Sequence, residues 1–435
     1  MFHKSSICLL LSIFLISFAN NEYTKEYHHI LSAAVAQNLC SSIFISKRNY
    51  STTPPFIEDL VDDPGFYSTI KVDKKNKFVT ATSKIYPKIQ KTSKYIDNYR
   101  GCTILRNSLN SFNKRVKPLK RNEKMKKKFK FQFQQNIKIQ EIIDKEFEDS
   151  KIKTRSIIVY HKKKIIGERY TKEFTKNTPQ LVWSVTKSFV NVLFGIAIHQ
   201  KKLKLEDKIL APEWSENDER NKLTILDLLK MTSSLNFTET YGYKSDPAKL
   251  VYNSTSMANY AALKSLSAKP GNLWSYSTGD TSILSRKLRD CFKSDEEYWR
   301  FPREQLFDKI GISENALINV DPSLTFAGGV FGYFTPRDLL KFGILLLNDG
   351  VVNSERILPE YWIRLSSTPT IESKGFYGLH FWTRRELPKS CFVAVGWRKQ
   401  LILICPNLEL IIIRQGLTDT RWNELTLFRN IINEL

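Results

Sequence analysis

The chain has 435 residues, 42% hydrophobic and 12% aromatic, with a formal net charge of +23. That length and apolar share suit one large domain with an added region, and they exclude a chain disordered throughout. The charge alone names no partner, because Lys, Asn and Ile are all abundant and a biased codon usage gives the same balance.

The N-terminus reads MFHKSS, then ICLLLSIFLISFA, then NNEYTKEYHH. A basic start, a short apolar run and small residues at Ser17 and Ala19 have the form of a secretory signal over residues 1–19, cut after Ala19. The run is too short to span a bilayer comfortably. The mature chain is therefore expected to be periplasmic or secreted, or membrane-anchored if the signal is kept. Cys8 leaves with the signal. An oxidising compartment permits disulfides, and Cys40 with Cys102 is the expected pair because both lie in the N-terminal region. Cys291, Cys391 and Cys405 sit in or beside apolar runs and read as small buried hydrophobes.

Residues 20–113 form an N-terminal accessory region. Within it AAVAQNLCSSIFIS (33–46) reads as a helix running into a strand, and KNKFVTATSKIY (75–86) alternates like a strand. Residues 114–150 read as a basic linker or arm, opened by KRVKPLKRNEKMKKKFK, with ten Lys or Arg against Glu123. It is expected to be a solvated linker with a weak attraction for anionic polymer or a membrane surface. Phe129 alone interleaves with the charges, which makes no stacking platform for bases, so no nucleic acid is expected.

Residues 151–435 change character. TRSIIVYHKKKIIGERY (154–170) reads as a hairpin, and LTILDLLKMTSSL (223–235) as an amphipathic helix. FTPRDLLKFGILLLNDG (334–350) is a helix capped by Thr335, with Pro336 at its first position. SCFVAVGWR, QLILICP and LELIIIRQG (390–416) read as consecutive strands before a final helix in 421–435. Strands at both ends with helices between them suggest a sheet built from the two termini of this region. The six histidines are scattered, and HExxH, P-loop and strand-linked GxGxxG patterns are absent, so neither metal nor cofactor is expected.

The chemistry is carried by WSVTKS (183–188), at the mouth of the apolar run FVNVLFGIAI. Three residues apart on a helix, the Ser184 hydroxyl and the Lys187 amine share one face. An amine freed of its proton can activate a hydroxyl as a nucleophile. Further along stand LTILDLLKMTSSLNFTETY (223–241), AKPGNLWSYSTGDTSILSRKL (268–288), FAGGVFGYFTPRDLLKFGILLLNDG and FVAVGWRKQLILI. Together, in this order, these segments resemble the serine β-lactamase and penicillin-recognising family over residues 154–435. The likeness is closest to its class C-like esterases and 6-aminohexanoate-dimer hydrolases.

The resemblance implies an α/β, β-lactamase/transpeptidase-like fold: an antiparallel sheet from both ends of the domain, flanking helices and a helical subdomain. It implies Ser184 as nucleophile, with Lys187 and Tyr276 handling the proton. Next to an ammonium, the Tyr276 phenol is expected to favour its phenolate. Tyr241 matches a tyrosine that contacts substrate amides, and Gly396 with Trp397 matches the strand that supplies the second oxyanion N–H. Three departures are plain. Ala394-Val395-Gly396 replaces a Lys- or His-led triplet, Thr278 replaces the Asn two residues after the tyrosine, and Arg398-Lys399 replaces small residues. Arg398 is expected to continue the strand, its side chain on the same face as Gly396. The expected function is hydrolysis of a small amide or ester through an acyl-enzyme. The alternatives are a D,D-peptidase or β-lactamase, and a non-catalytic wall-binding protein.

Overall fold

The computed structural model describes residues 5–48, 68–121, 129–418 and 422–435. The first four residues of the expected signal lie outside them, and the rest run unbroken into one helix, α1 (Ser5–Phe44). Its second half is rich in Ala, Ser and Ile and is buried from Ile30 to Phe44. It lies on a four-stranded meander of β1 (Ser68–Asp73), β2 (Phe78–Ser83), β3 (Gln90–Tyr95) and β4 (Cys102–Ile104), paired in that order. Val79 and Ala81, two apart on β2, join the α1 core as period-two alternation requires. A Cys40–Cys102 disulfide ties α1 to β4, the pairing expected. Among the described residues up to 48, the strand expected after the helix does not form. The N–H groups of Ile45 and Ser46 both turn back to the Ser41 carbonyl, at 2.9 and 3.0 Å, and close the chain as a turn.

After α2 (Leu109–Arg115) the chain runs along the protein surface. There Leu119 N–H bonds the Asp97 carboxylate at 2.9 Å and Arg121 pairs with Asp308 at 3.1 Å. The middle of the basic run, residues 122–128, lies outside the described residues. The remainder of the segment read as a linker packs into the main domain. β5 (Gln132–Phe133) adds a parallel edge strand, and α3 (Ile137–Lys145) buries Ile139 and Ile143 beneath the main sheet.

β6 (Thr154–His161) and β7 (Lys164–Tyr170) form the expected hairpin, with Lys162 and Lys163 both left-handed at its tip. β8 (Gln180–Leu181), β9 (Leu317–Ile318) and β10 (Gly332–Phe334) make a small sheet just before α4, and β11 (Val351–Val352) with β12 (Glu355–Arg356) a short ribbon. The helical part comprises α4 (Val185–His199), α5 (Ile225–Leu229), α6 (Asp246–Tyr252), α7 (Met257–Ala262), α8 (Thr278–Arg289), α9 (Asp295–Pro302), α10 (Pro336–Leu347) and α11 (Trp362–Ser367). The helix expected over 223–235 stops at Leu229, because Met231 and Ser234 adopt left-handed backbone.

β13 (Trp382–Thr383), β14 (Phe392–Gly396), β15 (Gln400–Cys405) and β16 (Leu410–Gly416) complete the main sheet before α12 (Glu424–Asn433). Its order is β13-β14-β15-β16-β6-β7-β5, so strands from both ends of the domain meet at β16 and β6, as expected. The sheet is antiparallel apart from β5. One face (Ile158, Ile402, Ile411) packs toward α4 and α10, the other (Val159, Leu403, Ile412) toward α3 and α12. α4 is buried on all sides, which explains its unbroken apolar run. Cys391 and Cys405 are buried, as expected, yet they are not free hydrophobes: the pairing of Phe392 with Ile404 brings them opposite each other, and they form a second disulfide. Cys291 is a free thiol. No helix among the described residues is long and apolar enough to cross a membrane.

Candidate active site

Trp183 enters the site with φ 48°, a left-handed conformation that costs a bulky residue energy and is held only by its surroundings. The Thr186 hydroxyl supplies part of that hold, donating to the Trp183 carbonyl at 2.6 Å and accepting from Gly332 N–H at 2.9 Å. The next residue, Ser184, occupies the N-cap of α4, but its side chain makes no capping bond. Its hydroxyl instead accepts from Lys187 Nζ at 3.0 Å. The same nitrogen donates to Thr278 Oγ1 at 3.0 Å and to the Gly329 carbonyl at 2.8 Å, so all three ammonium hydrogens have acceptors. Lys187 is 1% exposed. Burial pushes its pKa down to about 8, with the Glu239 and Asp280 carboxylates pulling the other way.

Tyr276 closes the group. Lys187 Nζ lies 4.9 Å from the centroid of its ring. The expectation of a phenolate is corrected here. Burial, reinforced by the Glu239 carboxylate, raises the phenol well above its usual value, against the smaller pull of Ser184. The two shifts run in opposite directions, the phenol's upward and the lysine's downward.

Two acids that sequence reasoning passed over stand behind this group. The Glu239 carboxylate accepts from both the N–H and the hydroxyl of Thr278. Asp280, one turn into α8, is buried and accepts from Ser233 Oγ at 2.8 Å; burial raises its carboxyl to about 7. His380 packs beneath α4, with Nδ1 3.0 Å from the Lys187 carbonyl, and burial drops its pKa to about 3, which keeps the ring neutral. Among the described residues no group of His, Cys, Asp and Glu could hold a metal.

The opposite wall is β14. A Cβ on Gly396 would come 2.2 Å from the Val182 carbonyl, so only glycine lets this strand approach the segment that leads into Ser184. Trp397 follows at the strand end. Its ring lies 5.1 Å from Trp183 and 5.9 Å from Tyr241, giving the mouth of the site an aromatic rim. Arg398 and Lys399 both have positive φ, 60° and 62°, a conformation that suits small residues. Arg398 is thus in a hairpin turn and does not continue the strand; its guanidinium lies over Trp397 at 4.5 Å. Lys399 pairs with Glu424 at 2.6 Å. Ser184, Tyr241, Thr278 and Trp397 all line one cavity of about 240 Å³. Of the expected site residues, Ser184, Tyr241 and Trp397 line this cavity, while Lys187 lies behind Ser184 and against the Tyr276 ring, and Gly396 immediately precedes Trp397.

A family model described as Beta-lactamase matches residues 139–414, and the chain belongs to that family. No curated protein sequence matches the chain at a significant level. Among solved structures, a Bacillus anthracis protein provisionally assigned as a 6-aminohexanoate-dimer hydrolase is similar over 90% of this chain and 96% of its own, with 17% identity and a TM-score of 0.62. EstCE1, a hydrolase with promiscuous acyltransferase activity, aligns over 68% of this chain and 97% of its own, at 14% identity and a TM-score of 0.55. FmtA from Staphylococcus aureus covers 71% and 92%, at 14% identity and a TM-score of 0.53. At such identities these likenesses establish the fold, a β-lactamase/transpeptidase-like α/β architecture.

Proposed function

We propose that the chain is an exported serine hydrolase that cleaves an amide or ester through an acyl-enzyme on Ser184. The observation that carries this reading is the buried Lys187 amine, its pKa drawn down to about 8, in contact with a serine hydroxyl that has no capping duty. In its neutral form Lys187 takes the Ser184 proton as Oγ attacks the scissile carbonyl carbon. The oxygen of that carbonyl gains negative charge beside the first turn of α4, where the positive end of the helix dipole favours it. The Ser184 and Trp397 N–H groups are the donors for this oxyanion. Tyr276, still protonated, gives its proton to the leaving amine or alcohol and is resupplied by Lys187. Water then enters, loses a proton along the same route, and releases the acid product from Ser184.

The aromatic rim and the absence of a Lys- or His-led triplet on β14 favour substrates without a carboxylate. A charge-assisted bond of that kind contributes about 1.5–3 kcal/mol, roughly ten- to two-hundredfold in selectivity. Export is supported by the signal-like start and by two disulfides, which persist in oxidising compartments. The test is to label the protein with a fluorophosphonate and with a fluorescent penicillin, map each adduct, and compare nitrophenyl butyrate with a chromogenic cephalosporin. The fluorophosphonate should mark Ser184 and the butyrate should be the better substrate. Efficient cephalosporin turnover would instead establish a β-lactamase or D,D-peptidase. No label on Ser184 and no turnover would leave the wall-binding reading.

A further inference from the structure

The cavity that holds Ser184 extends away from the catalytic group and ends against α1, a helix lying wholly before the family-matched residues 139–414. Ile30, Leu31 and Ala34 of α1 form one side of it, and Ala248, Val251 and Tyr252 of α6 face them. Glu239 is the one charged side chain among the described residues that line it, and it is an acid already engaged by Thr278. A substrate carboxylate finds no cation there. An uncharged apolar chain meets aliphatic and aromatic surface on both sides.

α1 is held in this position from several directions. The Cys40–Cys102 disulfide and the bond from Asn319 Nδ2 to Ser41 Oγ at 3.0 Å fix its far end. Asn38 Nδ2 donates to the Tyr252 hydroxyl at 3.4 Å, Glu26 pairs with Lys249 at 3.4 Å, and Tyr27 packs edge-on against Tyr243 at 5.0 Å. The contacts to Lys249 and Tyr252 seat α1 on α6, the opposite wall of the cavity.

We infer that this cavity is a subsite for an apolar acyl chain of medium length, completed by α1, and that the substrate is an uncharged aliphatic ester or amide. The inference rests on the acyl-enzyme reading and deepens it. Ser184 lies in the lining, so a chain on the scissile carbonyl can run from the nucleophile toward Leu31 and Val251 without crossing the rim. Each buried methylene should then raise kcat/KM roughly fourfold until the cavity is full.

The test is a nitrophenyl ester series from acetate through butyrate, hexanoate and octanoate to palmitate, on the full chain. Efficiency should climb through the middle of the series and fall for palmitate. Ala34→Phe, from α1, and Ala248→Phe, from α6, should each collapse the octanoate-to-acetate ratio toward one. Two walls are probed so that a folding failure of one variant leaves the other decisive. As a control, a series with a constant acetyl group and a lengthening alcohol should stay flat. A flat acyl series on an esterase that depends on Ser184 would overturn the subsite and leave the hydrolase reading standing. So would a ratio unmoved in both variants, or a climb confined to the alcohol series. A chain that cleaves no ester at all would overturn both.

Discussion

The Glu239 carboxylate holds the first residue of α8 in a two-point grip, taking the Thr278 N–H at 2.7 Å and its hydroxyl at 2.6 Å. Thr278 is also an acceptor for Lys187, so Glu239 acts on Lys187 through one intermediary and through its charge. Glu239→Gln removes the negative charge that favours the lysine's ammonium form. The Lys187 pKa should therefore fall further below about 8, and the acidic limb of kcat/KM against pH should move to lower pH. A limb that stays in place or moves upward would detach Glu239 from Lys187.

Ser184→Ala should abolish turnover and leave the melting temperature nearly unchanged. Its hydroxyl caps nothing, and Lys187 keeps its bonds to Thr278 and Gly329. Ester hydrolysis at the wild-type rate by the purified variant would remove Ser184 from the mechanism.

Lys187→Ala and Tyr276→Phe should each lose at least roughly a hundredfold in kcat/KM, the scale of a positioned proton-transfer group. In the wild type, kcat/KM should rise with pH through about 8 as Lys187 loses its proton. Tyr276→Phe should keep that rise, since the phenol stays protonated over the range. Full activity in Tyr276→Phe would break the link between WSYSTG and the site.

Asp280 predicts a stability effect with a definite sign. Its folded pKa, about 7, lies above the ordinary 3.8, so between these values the folded state holds a proton that the unfolded state has lost. Stability from this group therefore falls as pH rises through that window, and the full cost is present above about 7. Asparagine keeps an oxygen for Ser233 and cannot ionise. Thermal melts of Asp280→Asn should gain on wild type steadily from pH about 4 to pH about 8. A constant difference across that range would contradict a raised Asp280.

The grouping of Ser184, Lys187 and Tyr276 was legible because its signal is local. Ser184 and Lys187 share one helical turn, and Tyr276 stands two residues before the start of α8. The cap of α10 was equally local, and there Thr335 and Asp338 form a reciprocal capping box around Pro336. Glu239 and Asp280 were not legible, because their roles come from meeting Lys187 across three separate segments. Cys391 and Cys405 pair through hairpin register, which spacing does not reveal. β5 and α3 were concealed by the neighbouring lysines: only Ile139 and Ile143, one turn apart, mark a buried face. Arg398 was misplaced because nothing in its own chemistry favours the left-handed turn it adopts; hairpin geometry imposes that turn.

The junction of β6 with β16 has a consequence for how this protein is made. Ser156 on β6 bonds Gln415 on β16, residues 259 positions apart, so the middle of the main sheet waits for the last of the described strands to be synthesised. Contacts of such separation carry a large loop-closure cost before any return and slow folding. Until β16 arrives, the hairpin β6–β7 presents an open edge of unpaired N–H and C=O groups, a surface prone to pair with other chains. A nascent chain in this state needs to be kept from its neighbours until that strand has closed the sheet.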